Sequence, residues 1–108
     1  MEQGYIDELV NGILDVMRNQ VFSIILFGSM ARGDFDAESD VDIAIIYSGE
    51  INDRQEDAMN DYFVDMDIKY GRVHSIIDIE KREFDKWKNV SPFYKNVANE
   101  GVVLWKAA

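Results

Sequence analysis

Apolar and polar positions divide this chain into blocks of two periods. Ile6, Leu9, Val10, Ile13, Leu14 and Met17 recur at helical spacing, with Asp7 and Glu8 in the expected first turn and Arg18 in the last, signs that complement a helix dipole. Val21 to Phe27 and Val41 to Tyr47 are short, apolar and β-branched, the length of buried strands rather than helices. Asn52, with Gln55 three residues on, has the spacing of a capping box, and predicts a second helix to about Phe63 with Ala58, Met59, Tyr62 and Phe63 inward. From Val64 to Tyr70 the pattern alternates. Val64, Met66, Ile68 and Tyr70 fall on one face and Asp65, Asp67 and Lys69 on the other, which predicts a half-buried strand. Gly71 interrupts the pattern before Val73 to Ile79 resumes as a strand, so a bent strand and a hairpin at Tyr70-Gly71-Arg72 are equally readable. Glu80 to Lys88 reads as a short helix, Ser91-Pro92 as the cap and first residue of another that ends near Gly101, and Val102 to Trp105 as a terminal strand or extended tail. The blocks predict an α/β (α+β) fold, a small mixed sheet flanked by helices, as one domain over 1–108. Phe84, Trp87, Phe93, Tyr94 and Trp105 are expected in its core rather than as a base-stacking platform.

The chemistry lies between the first two strands, in Phe27-Gly28-Ser29-Met30-Ala31-Arg32-Gly33-Asp34-Phe35-Asp36-Ala37-Glu38-Ser39-Asp40-Val41-Asp42. Strand side chains alternate, so Asp40 and Asp42 share one face while Val41, Ile43 and Ile45 point to the other. Mg²⁺ takes hard oxygen ligands and is usually held by one or two carboxylates together with substrate phosphates, so the pair supplies the protein's share. Gly28 has no Cβ and lets the backbone approach a phosphate; Ser29 adds a hydroxyl, and Ser29 to Arg32 has the length of one helical turn with amide donors facing an anion. Arg32 is placed to balance that anion's charge. The site therefore reads as one for a nucleoside triphosphate such as ATP with Mg²⁺, where two metals about 3.5–4 Å apart would clamp an in-line displacement at phosphorus.

The string Gly-Ser-x-Ala-Arg-Gly, a short acidic loop, then Ser-Asp-x-Asp before an apolar strand resembles the signature of the polymerase-β-like nucleotidyltransferase superfamily, most closely its minimal nucleotidyltransferase branch. Ser91 to Val97 and Glu100 to Leu104 also resemble the tail that follows the last strand in such proteins, so the likeness runs from about Val21 to Leu104. The resemblance implies transfer of a nucleoside monophosphate, AMP from ATP, to a hydroxyl, with Asp40 and Asp42 as catalytic metal ligands and Gly28, Ser29 and Arg32 holding the triphosphate. It also implies a third carboxylate on a neighbouring strand. The corresponding segment here, Val73-His74-Ser75-Ile76-Ile77-Asp78, has His74 or Ser75 in that slot. Asp67 and Asp78 are the alternatives; Asp67 is preferred, because the other face of its alternating segment is apolar, and its carboxylate is expected nearer Asp42. His74 is weighed as a base or metal ligand against a packed, hydrogen-bonded side chain, the commoner state of a lone strand histidine.

Composition narrows the partners. A formal charge of −10 repels a phosphate backbone, so no unaided grip on nucleic acid is expected. Zero cysteines exclude disulfides, thiol catalysis and Cys-ligated zinc. Neither a stretch of about 18 apolar residues nor a basic-then-apolar leader is readable, which sets the expectation of a cytoplasmic protein with no membrane contact. No Lys-Ser or Lys-Thr follows the glycines, so a Walker-type loop is excluded. Many minimal nucleotidyltransferases are encoded beside an all-helical HEPN-type protein and act as its antitoxin, some by adding AMP to its tyrosine; the resemblance implies that partner here. Two functions follow: an Mg-dependent nucleotidyltransferase, or a nucleotide-binding antitoxin or regulatory subunit with little or no catalysis. An aminoglycoside-modifying enzyme is a weaker third, since such proteins usually carry a further helical domain.

Overall fold

A computed structural model of the chain describes residues 2–34, 36 and 38–108. Its elements in order are α1 (Gln3–Met17), β1 (Val21–Phe27), α2 (Gly28–Arg32), β2 (Val41–Tyr47), α3 (Asp53–Tyr70), β3 (His74–Glu80), α4 (Lys81–Trp87), α5 (Pro92–Glu100) and β4 (Val102–Lys106). The sheet order is β3-β2-β1-β4. β1 pairs antiparallel with β2 and β4, whereas β2 and β3 run parallel, with α3 as their crossover. The sheet is thus mixed, as the pattern predicts.

Alternation along the strands sorts the core into two layers. Val41, Ile43 and Ile45 of β2 pack with Leu9, Val10, Ile13 and Met17 of α1 and Met59, Phe63 and Met66 of α3. Ala44 and Ile46 face the other way, onto Ile25, Ile79, Phe84 of α4 and Val97 of α5. Asp42 has the parity of Ala44 and Ile46, so its side chain leaves the sheet on the α4–α5 face.

The half-buried strand expected over Val64 to Tyr70 is instead the second half of α3. The capping box at Asn52 and Gln55 is present, but the helix it starts runs on past Phe63. Met59, Phe63 and Met66 are spaced by one and two helical turns and are buried, whereas Val64, Ile68 and Tyr70, apolar members of the alternating set, are exposed. A few apolar residues on the solvent face had imitated a period of two. Gly71, with φ +63, ends the helix rather than bending a strand, and its N–H donates to the Asp67 carbonyl. Glu8 of α1 fastens this end: its carboxylate accepts from Lys69 Nζ at 2.8 Å and from the Tyr70 hydroxyl. Those two hydrogen bonds, Lys69's first, lower the Glu8 carboxyl below its ordinary value. Asp7 and Glu8 therefore lie beyond the first turn of α1, which begins at Gln3, and Arg18 lies past its end.

The last helix opens at Pro92 and ends at Glu100, as read, and Val102–Lys106 pairs with β1 as a true strand. Of the aromatics expected inside, Phe84 is buried, while Trp87 and Phe93 are exposed. Among the described residues no helix is long and apolar enough to cross a membrane.

Candidate nucleotide and metal site

β1 ends at Phe27 and the chain turns at once into α2, five residues long, beginning at Gly28. Phe27 pairs with Asp42, so the turn lies directly over the start of β2. Gly28 has φ +72, and a Cβ built on it would stand 2.3 Å from Oδ2 of Asp42. Backbone and carboxylate are therefore already in contact distance. A second αL residue, Gly33, ends α2.

The loop from α2 to β2 is braced by its own polar groups where it is described. The Ser39 hydroxyl accepts from Asp36 N–H at 2.9 Å, and the Asp36 carboxylate accepts from Glu38 N–H at 2.9 Å. Arg72, just beyond α3, donates through Nη1 to the carbonyls of Ser39 at 2.7 Å and Asp36 at 3.2 Å. Arg72 thus holds the residues that lead into Asp40. Readings that rest on Phe35 and Ala37, in the middle of the acidic loop, lie outside the described residues.

Asp40 is exposed and Asp42 half-buried. Desolvation first, and the neighbouring Asp40 charge second, raise the Asp42 carboxyl above its ordinary value, while Arg32 pulls it back. Two neighbouring carboxylates whose charges oppose one another supply the hard oxygen donors that Mg²⁺ takes, so the residues present fit the ion expected from sequence. Arg32 bonds Asp34 through Nε at 3.3 Å and lies 3.9 Å from Glu100, Nη1 to Oε2. Gly28 and Arg32 line a cleft of about 220 Å³ together with Phe27, Phe93, Asn96 and Glu100. The last three come from α5, and sequence reasoning placed none of them at the site. A Phe followed by Asn one turn later on a short helix was the available signal, but only packing of α5 beside β1 brings it to Gly28.

The third carboxylate does not assemble. In the parallel register Asp42 faces Ser75, and Asp78 faces Ile45. Ser75 donates through Oγ to Asp40 Oδ2 at 3.4 Å. His74, Ile76 and Asp78 point to the α1–α3 face, where they line a cavity of about 360 Å³ with Asp67, Glu56 and Met59. Asp67, preferred as third ligand, belongs to α3 and accepts at 2.7 Å from both the backbone N–H and Nδ1 of His74. Neither Asp67 nor Asp78 joins Asp40 and Asp42, and among the described residues no three Asp, Glu, His or Cys side chains form a metal cluster. For Asp78 the reason is parity, since it has the parity of His74 and Ile76 and not of Ser75; for Asp67 it is that its segment is helix, on the face of the sheet where it binds His74.

His74 is a packed histidine. Its side chain has no exposed surface, and Nε2 accepts from the Tyr5 hydroxyl while Nδ1–H donates to Asp67. Burial first, and Tyr70 next, push the Tyr5 phenol up to about 12, so it keeps its proton, while the Asp67 carboxylate, which can only accept, orients Nδ1–H toward α3. Asp67→Ala is accordingly expected to leave two buried donors unpaired and cost about 1–3 kcal/mol of stability. Thermal melting should show that loss, with Mg-nucleotide affinity by calorimetry unchanged; lost affinity in a protein of undiminished stability would return Asp67 to the site.

Residues 10–104 match the family described as nucleotidyltransferase domain. A protein of Methanocaldococcus jannaschii, provisionally named a protein adenylyltransferase, is 39% identical over 104 residues, 96% of this chain and 98% of that protein. Another from the same organism, named likewise, is 46% identical over 41 residues, 38% of this chain and 41% of that protein. Among solved structures, a toxin–antitoxin crystal structure with AMP-PNP has a chain of similar fold, with TM-score 0.61 and 18% identity over 94% of this chain and 73% of that one. A complex of tri-AMPylated Shewanella oneidensis HEPN toxin with MNT antitoxin gives TM-score 0.59 and 17% identity over 99% and 74%.

Proposed function

We propose, since this chain belongs to the nucleotidyltransferase domain family, that it transfers AMP from ATP to a hydroxyl on a partner protein. The observation that carries this reading is the close approach of Gly28 to the Asp42 carboxylate, which sets the Gly28-Ser29 turn directly against the two carboxylates. The acceptor oxygen would attack the α-phosphorus, the bond from that phosphorus to the β-bridging oxygen would break, and pyrophosphate would leave; the hydroxyl proton passes to solvent. Gly28 and Ser29 would lie against the triphosphate, and Arg32 would exchange Asp34 and Glu100 for phosphate oxygens. Asp40 and Asp42 would hold Mg²⁺, which when bound neutralises charge on the phosphates. Phe93 and Asn96 on the far wall of the cleft would take the base, the ring by stacking and the amide by hydrogen bonds.

A partner protein rather than nucleic acid is favoured by the charge of −10. The named activity of the relative that is 39% identical and the toxin–antitoxin structures of similar fold support an all-helical HEPN-type toxin as acceptor, and we place the encounter in the cytoplasm. A second reading, an antitoxin that neutralises by contact with little catalysis, is favoured by one observation: Ser75 stands where a third acid would face Asp42. Incubation with α-labelled ATP, Mg²⁺ and the helical protein encoded by the adjacent gene separates them. Label moving onto a partner hydroxyl, located by mass spectrometry, is the result expected. Neutralisation by an Asp40→Asn protein with no label on the partner would overturn the enzyme reading in favour of contact.

A further inference from the structure

The register of β2 and β3 has a chemical consequence for the metal site, and it rests on the nucleotidyltransferase reading. We infer that Ser75 limits this site to one firmly held divalent cation, and that the residue at this position sets the metal stoichiometry and through it the rate. Opposite residues of a parallel pair share a face, so Ser75 shares that of Asp42, and its hydroxyl lies 3.4 Å from Asp40. A serine hydroxyl is a neutral, weak ligand. Two cations about 3.5–4 Å apart repel each other and need anionic oxygens on both sides, whereas one is satisfied by two carboxylates and the phosphates.

Neither acid that the sequence offered as a third ligand makes up the difference. Asp67 is held by His74, and Asp78 leaves the sheet on the opposite face. A carboxylate at position 75 would stand beside Asp40 and Asp42 and add like-charge repulsion to the empty site, which a bound cation would relieve.

The test counts metal directly. Wild-type chain saturated with AMP-PNP is titrated with Mn²⁺, and bound Mn²⁺ is followed by electron paramagnetic resonance. One Mn²⁺ per chain is expected for wild type, Ser75→Ala and Ser75→Asn. Ser75→Asp should take two, with the line broadening of a coupled pair. In EDTA Ser75→Asp should melt below wild type, and with Mn²⁺ and AMP-PNP above it; its turnover should rise by about tenfold or more. Two coupled Mn²⁺ on the wild type would overturn the inference and leave the nucleotidyltransferase reading standing. So would a folded Ser75→Asp that gains no second ion. Failure of the wild type to take up any Mn²⁺–nucleotide would instead overturn the reading of the site, and this inference with it.

Discussion

Replacing Asp42 by Asn is expected to abolish Mg-dependent ATP binding and to lower transfer by at least about 10²–10³-fold, the scale for losing one central electrostatic group. The fold should survive, and gain. Asp42 sits half-buried beside Asp40, and both the desolvation and the like charge hold its carboxyl above the ordinary 3.8. A carboxyl whose folded value is raised binds its proton more tightly in the folded state. Stability is therefore lost as pH rises from 3.8 through the raised value, and the ionised group is a net cost at neutral pH. Asn carries no charge at any pH, so the variant should lack this decline and melt at or above wild type in EDTA near pH 7. Melting curves between about pH 4 and 7, with calorimetry of Mg-ATP binding, measure both effects. Retained Mg-dependent affinity would remove Asp42 from the site, and collapse of the fold would show its role to be structural.

Gly28→Ala is expected to abolish nucleotide binding by a different route. At φ +72 a side chain strains the backbone by about 1–2 kcal/mol, which in a chain this size lowers melting by about 5–15 °C. The larger effect is steric. The new Cβ would lie 2.3 Å from Oδ2 of Asp42, and one of the two must move, either displacing the metal ligand or lifting the turn off the strand. Gly33→Ala isolates the first effect, because Gly33 has φ +79 but no atom within 4 Å of its Cβ among the described contacts. Calorimetry should find binding lost in the first variant and retained in the second, at comparable melting temperatures. Equal retention would mean that the closeness of Gly28 to Asp42 has no part in holding nucleotide.

Much of the architecture was legible because it is local. β1 and β2 are apolar runs too short for helices, and their ends were placed at the observed residues. The Gly28 to Arg32 turn and the shared face of Asp40 and Asp42 follow from glycine stereochemistry and strand parity, neither of which needs a partner segment. The extent of α3 was misread because seven residues hold too few apolar positions to separate a period of two from one of 3.6. Only the continuation of Met59 and Phe63 into Met66, buried against α1, selects the helix.

What the sequence by itself determined is therefore the set of blocks and the pieces of the proposed site: a glycine turn at the end of β1, two carboxylates at the start of β2, and a formal charge of −10. Only the tertiary structure decided what stands around them. That Ser75 faces Asp42, that Asp67 is occupied by His74 on the other side of the sheet, that Arg72 braces the loop and that Phe93 and Asn96 wall the cleft all depend on register and packing between distant segments. Side-chain direction reverses with each strand residue, so a single step of register exchanges the two faces. That step is fixed by which apolar side chains fill the common core, which only the assembled α1, α3 and sheet specify.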